Sequence, residues 1–87
     1  MTGRFDEGVK WTSRALRERP AFVPALRFHA VCLAKLGRLR EARDTIARLL
    51  QLEPRLTISN LRRRMPISDV KLMNAYLDGL RKAGLPE

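Results

Sequence analysis

Apolar residues recur every three or four positions along most of the chain, which is the spacing of one face of an α-helix. Three such stripes cover residues 5–16, 22–36 and 39–50. Pro20 and Gly37 fall between the stripes, and both residue types interrupt or end helices. The first two thirds of the chain therefore predict three helices.

The last third of the chain continues the pattern in two further pieces. Apolar residues between positions 56 and 65 predict a short helix that stops before Pro66. A stripe over residues 70–80 predicts a final helix, with Ser68 as its N-cap and Gly84 beyond its end. No alternation of apolar and polar residues is long enough to predict a strand, so the expected fold is all-α with about five helices.

Two short stretches repeat along the chain at a distance of 34 positions. GRFDEG occupies residues 3–8 and GRLREA occupies residues 37–42. Aligning residues 3–20 with 37–54 also pairs an arginine, a leucine and a terminal proline in each copy. A period of about 34 residues built from two helices is typical of tetratricopeptide repeats. The chain resembles that family.

The resemblance implies a stack of antiparallel helix pairs. Residues 1–20 would be the second helix of an incomplete repeat, residues 21–54 a full repeat, and residues 55–87 two divergent capping helices. It also implies that the chain starts halfway through a unit of a longer array.

Three positions depart from the family pattern. His29 stands where the family has leucine, Gly8 where it has a small alanine, and Thr12 where it has a large apolar residue. In the full unit, Leu26 and Leu33 stand where the family has a tryptophan and a tyrosine in the first helix, so both positions remain apolar.

The C-terminal part has a second resemblance. Its basic run at residues 61–66 and its closing stretch at residues 80–87 resemble the tail that follows the repeat array in certain bacterial proteins. Those are multidomain proteins with an adenylate or guanylate cyclase-type domain, or a DNA-binding regulator domain, ahead of the repeats. The resemblance implies that any such catalytic or DNA-binding residues lie outside this segment.

Charge and cysteine content narrow the class of protein. Lysine and arginine number 18 against nine acidic residues, giving a net charge of +9 that attracts acidic partners. A single cysteine excludes an internal disulfide framework and fits a reducing compartment. Neither a signal peptide nor an apolar run of about 18 residues is present, so we expect a cytoplasmic protein without a membrane partner.

Candidate catalytic groups are sparse. His29 lies on the apolar face of its helix, and Cys32 follows three residues later with no acidic residue on that helix to orient either side chain. One histidine and one thiol are too few for a zinc site. We therefore interpret both as structural residues, and we expect no enzyme activity, no metal and no cofactor.

The family resemblance places ligands in a concave groove lined by the first helix of each unit. In the full unit this predicts a peptide-binding face made of Arg27, Phe28, Val31, Ala34 and Lys35. Its two cations would pair with carboxylates through charge-assisted hydrogen bonds. The leading hypothesis is a non-enzymatic module that binds a protein or an acidic peptide.

Two alternatives stay open at this point. The chain is also interpretable as a structural cap and spacer that closes the repeat array of a bacterial signalling protein. Nucleic-acid binding through a basic surface at Arg62, Arg63 and Arg64 is the third hypothesis. Consecutive residues point to different sides of a helix, and no aromatic residues are interleaved for base stacking, which disfavours it.

The missing first helix of the incomplete unit generates a prediction about assembly. Without that helix, Phe5, Val9 and Thr12 are expected to present an apolar face, so the chain is expected to self-associate through it or to be only marginally stable. Light scattering over a dilution series measures this. A monomer at micromolar concentration with a cooperative thermal transition would contradict it.

Overall fold

The computed structural model describes residues 3–64 and 69–87, and these contain five helices and no strand. They are α1 (Gly3–Glu18), α2 (Val23–Lys35), α3 (Leu39–Leu52), α4 (Ile58–Arg64) and α5 (Val70–Lys82). The prediction of an all-α fold is confirmed.

The start of α5 involves a different residue from the one expected. Ser68, the predicted N-cap, lies outside the described residues. The Asp69 side chain takes this role, since its Oδ1 accepts a hydrogen bond of 3.2 Å from the backbone N–H of Leu72. An acidic cap also suits the positive end of the helix dipole.

Helix α2 is the centre of the molecule, because α1, α3 and α5 all pack against it. Most of the circumference of α2 is buried, except on the side of Phe28; the buried residues are Ala25, Leu26, Ala30, Val31, Cys32, Leu33 and Ala34. A helix that is apolar all round is the kind that a domain surrounds with others. The polar faces of α1 and α3 remain in contact with solvent.

Glycine allows the tight turns that end α2 and α5. Gly37 has φ +80°, and the N–H of Arg38 donates to the carbonyl of Leu33 at 2.9 Å. Gly84 has φ +103°, with the equivalent bond from Leu85 to Leu80 at 3.0 Å. Residues with a Cβ rarely adopt these positive φ angles, which is why glycine stands at both turns.

The tail after α5 folds back onto the start of α4. Leu85 is buried, and the carbonyl of Pro86 accepts the N–H of Ile58 at 2.8 Å. The carbonyl of Glu87 accepts the N–H of Ser59 at 3.0 Å, while its side chain forms an ion pair with Arg81. The tail thus satisfies two of the free N–H groups at the start of α4.

The apolar stripe of α1 is covered rather than open. Thr12 is fully buried, Val9 packs against the hydrophobic core, and Phe5 is half-buried. The expectation that these residues form an exposed face is therefore wrong for Thr12, because α2 lies against this side of α1. Self-association stays a prediction, but Thr12 does not contribute to its interface.

Two glycines permit the close approach of helices to α2. A Cβ at Gly8 of α1 would lie 2.6 Å from the Sγ of Cys32, and a Cβ at Gly79 of α5 would lie 2.9 Å from the Cγ1 of Val31. The second position would also be 3.2 Å from the Val31 Cα, which cannot rotate away. Gly8, a departure from the repeat pattern, is thus explained by the contact between α1 and α2.

We predict that Gly79→Ala destabilises the protein although alanine is the better helix former. Overpacking against Val31 costs about 1–3 kcal/mol, and the propensity gain returns about 1 kcal/mol. The expected net loss in the free energy of unfolding is about 1 kcal/mol, measured by urea denaturation followed by circular dichroism.

Asn74→Ala is the matched control, because Asn74 is exposed on the same helix and the change brings the same direction of propensity gain without a packing contact. We expect this variant to be as stable as the original chain or slightly more so. Equal stability of Gly79→Ala and Asn74→Ala would contradict the close approach of α5 to α2.

Candidate binding surfaces

Helix α5 covers part of the face of α2 that the sequence assigns to a peptide groove. Val31 is 3% exposed and Ala34 is 5% exposed, and Gly79 of α5 lies against Val31. The Nζ of Lys35 is 3.2 Å from the Oδ2 of Asp78 on α5. Val31 and Lys35 therefore face α5, and neither Val31 nor the buried Ala34 is accessible to a ligand.

The other two residues of the predicted groove, Phe28 and Arg27, are more accessible than Val31 and Ala34. Phe28 is partly exposed, and its ring is close to Gly8 at the contact between α1 and α2. Arg27 is half-buried, and its buried Nε has no hydrogen-bond partner in the part of the chain that the structure describes. The structure thus divides the predicted face between two helix contacts instead of presenting it as one open groove.

Helix α5 belongs to the core and is not a displaceable lid. Met73, Leu77 and Leu80 are buried on its inner face, each at 8% exposure or less. Burying a large apolar side chain contributes roughly 1.5–3 kcal/mol, so removing α5 would cost on the order of 5 kcal/mol or more. A peptide that replaced α5 would have to recover that loss before gaining any affinity.

The ion pair between Lys35 and Asp78 ties α5 to the end of α2. The hydrogen bond from Lys35 lowers the pKa of the Asp78 carboxyl below its usual value, and the nearby cation of Lys82 acts in the same direction. Lys35, one of the two cations predicted to bind a ligand carboxylate, therefore already has a carboxylate partner within the chain.

His29 and Thr12, two departures from the repeat pattern, bond to each other. The Oγ1 of Thr12 is 2.7 Å from the Nδ1 of His29 and 2.8 Å from the carbonyl of Gly8. A threonine hydroxyl has one proton, so when it donates to Gly8 it accepts from a protonated Nδ1. The pair satisfies polar atoms where the family has two apolar residues.

The surroundings of His29 favour its neutral form. Burial lowers the pKa of His29 first, and the positive charges of Arg38 and Arg48 lower it further, while Glu41 acts in the opposite direction. His29 lines two small clefts, of about 310 Å³ and 300 Å³. Residues of α1 and α3 form their walls.

The thiol of Cys32 is inert in this environment. The residue is fully buried, and burial raises the pKa of the thiol to about 11. A thiol must lose its proton to act as a nucleophile or metal ligand, and this one keeps its proton at neutral pH. This agrees with the structural interpretation of Cys32 from the sequence.

The three consecutive arginines of α4 spread over different directions. Arg64 pairs with Glu53 at 3.1 Å, and Arg63 donates to the Oδ1 of Asn60 at 3.1 Å. Arg62 lines a separate cleft beside Ser59. The three side chains do not form one patch by themselves.

Tertiary structure adds two further cations to this end of the molecule. Arg55 from the loop after α3 lines a cleft together with Arg63 and Arg64, and Arg81 from α5 lines another with Arg62 and Arg63. We call these five residues the arginine surface. Sequence reasoning missed Arg55 and Arg81, because both are isolated in the chain and only folding brings them to α4.

Two clefts adjoin on the arginine surface and share Arg63. The larger has a volume of about 550 Å³ and lies between the end of α3 and α4, with Leu52 and Leu56 as apolar walls. The smaller, of about 470 Å³, lies between α4 and the C-terminal tail and includes Glu87. The larger cleft therefore combines cations with apolar surface.

Comparisons with models of protein families, with curated proteins and with solved structures find no match for the chain. Within the described ranges 3–64 and 69–87, no cluster of three or more His, Cys, Asp or Glu side chains is placed to hold a metal ion. The helices of the same ranges are too short or too polar to cross a membrane.

We predict that His29 makes stability depend on pH in a mildly acidic window. The folded state lowers the His29 pKa, so below the ordinary value near 6.5 the unfolded chain binds a proton that the folded chain resists. The stability that His29 contributes is present above that value and is lost as the pH falls. Urea unfolding between about pH 7.5 and about pH 5.5 measures this.

His29→Gln is the comparison variant, since glutamine can bond to Thr12 but does not titrate. We expect its stability to change less over the same window than that of the original chain. Glu41, Asp78 and Glu87 also have lowered pKa values, but their contributions are lost only below the ordinary carboxyl range. The same pH dependence in both proteins would contradict the role of His29.

Proposed function

We propose that this chain is a non-enzymatic protein-interaction module of the tetratricopeptide type, and that it binds its partner at the arginine surface. The observation that carries the proposal is the pair of adjoining clefts around Arg63, where five arginines from three parts of the chain meet. Basic clefts with apolar walls suit acidic segments of another protein.

Support for the repeat-type architecture comes from the α2–α3 hairpin. Its turn at Gly37 falls 34 positions after Gly3, the corresponding glycine of the first copy. Helices α1 and α3, which carry the two copies, both pack against α2. A cytoplasmic location and a bacterial multidomain parent belong to the same proposal, on the sequence resemblance alone.

Support for a non-enzymatic role comes from the only histidine and the only cysteine of the chain. The Nδ1 of His29 is occupied by Thr12, and the thiol of Cys32 is buried with a raised pKa. Among the described residues, no carboxylate is hydrogen-bonded to either group to orient it for proton transfer.

Helix α5 covers part of the face of α2 that the sequence assigned to a groove, which favours a binding surface elsewhere on the molecule. Reversing the charge of Lys35 would break its ion pair with Asp78 and so would change stability as well as any binding. Arg63 is a better residue to test, because it is exposed and its side chain bonds only to Asn60 among the described residues.

The test is selection from a random peptide library displayed on phage, with the purified chain as bait. We expect enriched peptides to bind in solution and to lose about tenfold or more in affinity to Arg63→Glu, since lost charge-assisted contacts are worth about 1.5–3 kcal/mol. Arg14→Glu on α1 is the matched control with the same charge change, and it should bind normally.

The structural cap is the second candidate, and the C-terminal elements favour it. Helix α5 covers α2, and the tail buries Leu85 and bonds to the start of α4. Under this alternative the library yields no peptide that depends on Arg63. Nucleic-acid association would instead give binding to generic single-stranded DNA that weakens steeply with salt.

A further inference from the structure

We propose that the larger cleft of the arginine surface binds an acidic peptide segment in which a carboxylate residue neighbours a leucine-like side chain. This inference rests on the proposed function and specifies its partner. The two halves of the proposed ligand follow from two different parts of the cleft.

The apolar half of the cleft lies at the end of α3. Leu52 lies there in the last turn of α3 and is 46% exposed, so its side chain is accessible to a ligand. Leu56 and Pro54 continue the same wall toward α4. A volume of about 550 Å³ falls in the range of ligand pockets in proteins and is too large for a single small ion. This wall suits an aliphatic side chain.

The cationic half of the cleft has unneutralised charge. Of its three arginines, Arg64 has a carboxylate partner in Glu53, whereas Arg55 and Arg63 have none among the described residues. The planar guanidinium group of arginine presents paired donors that match a carboxylate. Arg55 and Arg63 are therefore the residues available to a ligand carboxylate.

Asn60 is a positioning residue for this pair. Its Nδ2 donates to the backbone carbonyl of Arg55 at 2.7 Å, and its Oδ1 accepts from the Nη2 of Arg63 at 3.1 Å. The asparagine thus connects the loop that carries Arg55 to the helix that carries Arg63. Holding the two residues together before binding reduces the entropy lost when a ligand arrives.

Glu53 makes the charge of the cleft differ from one side to the other. Its carboxylate pairs with Arg64 and places negative charge at that side of the cleft. A ligand carboxylate beside Glu53 would be repelled, and one beside Arg55 and Arg63 would not. The acidic residue of the peptide is therefore expected at the Arg55 side, with its leucine-like neighbour over Leu52.

The lining of the cleft favours a peptide over nucleic acid. No aromatic side chain lines either cleft of the arginine surface in the described part of the chain, so bases have no ring to stack on. A phosphate backbone offers nothing to cover the exposed Leu52, whereas an aliphatic side chain does. Nucleic acid is accordingly expected to bind more weakly than an acidic peptide with a leucine.

The test uses fluorescence anisotropy with four probes and the complete 87-residue chain. The first probe is a labelled nonapeptide with a central leucine between acidic residues. In the second, serine replaces the leucine, and in the third, amides replace the carboxylates. The fourth is a short single-stranded oligonucleotide of the same net charge as the first. We expect saturable binding of the first probe and at least tenfold weaker binding of the other three.

Matched variants locate the site. Leu52→Ser should weaken the first probe about tenfold and leave the serine probe unchanged, since that probe makes no apolar contact. Arg63→Glu should weaken both acidic peptides, and Arg14→Glu should weaken neither. Asn60→Ala should lower the affinity for the first probe. The double variant Arg63→Glu/Asn60→Ala should bind this probe no more weakly than Arg63→Glu alone, because a positioning residue acts only through Arg63. Circular dichroism melts confirm that each variant folds.

Three outcomes overturn the inference without by themselves removing the proposed function. Equal binding of the oligonucleotide and the acidic peptides would indicate charge alone, and equal loss in Arg14→Glu and Arg63→Glu would indicate no defined site. Equal affinity for the leucine and serine probes would show that the proposed apolar contact with Leu52 does not contribute to binding. In each case, library peptides of other composition that depend on Arg63 would leave the proposed function standing. Failure of every peptide would remove both.

Discussion

Helix α2 is enclosed by α1, α3 and α5, and the rest of the structure depends on that enclosure. Seven of its residues are buried, so each neighbouring helix is held by apolar contact with the same central element. The enclosure also limits function. Packing α5 at the distance that Gly79 allows covers Val31, a position that an open repeat array would present to a ligand, and Ala34 is buried as well. Binding in this chain is therefore expected on outer faces.

The departures from the repeat pattern are physically coupled. Gly8 leaves room for Cys32, and Thr12 bonds to His29, so α1 and α2 fit each other through matched changes on both helices. Replacing two apolar residues by a bonded polar pair costs little if both partners are satisfied, whereas leaving one of them alone would expose the full cost of burying a polar group. The same pair holds His29 in a position where protonation opposes folding.

The arginine surface shows how folding brings together arginines that are separate in the chain. Arg62, Arg63 and Arg64 are conspicuous together, but their side chains diverge around α4. Arg55 and Arg81 become their neighbours because the loop after α3 and the end of α5 meet α4. A single exposed leucine is ordinary, so Leu52 suggests a ligand contact only because it lines the larger cleft.

The amino-acid sequence by itself determined the number of helices, their approximate positions and the glycine turns that end α2 and α5. The stripes of apolar residues define α1 to α5, and Gly37 and Gly84 occupy the positive-φ turns because those angles suit glycine. Only the tertiary structure decided which helix covers which stripe. An apolar stripe specifies the face that must leave water, but any apolar surface of suitable shape can receive it, because the hydrophobic effect has no direction. Gly8 and Gly79 allow α1 and α5 to approach α2 closely, although the contacting residues are far apart in the chain. As a result, α5 lies over a part of α2 that the repeat pattern predicts to be open.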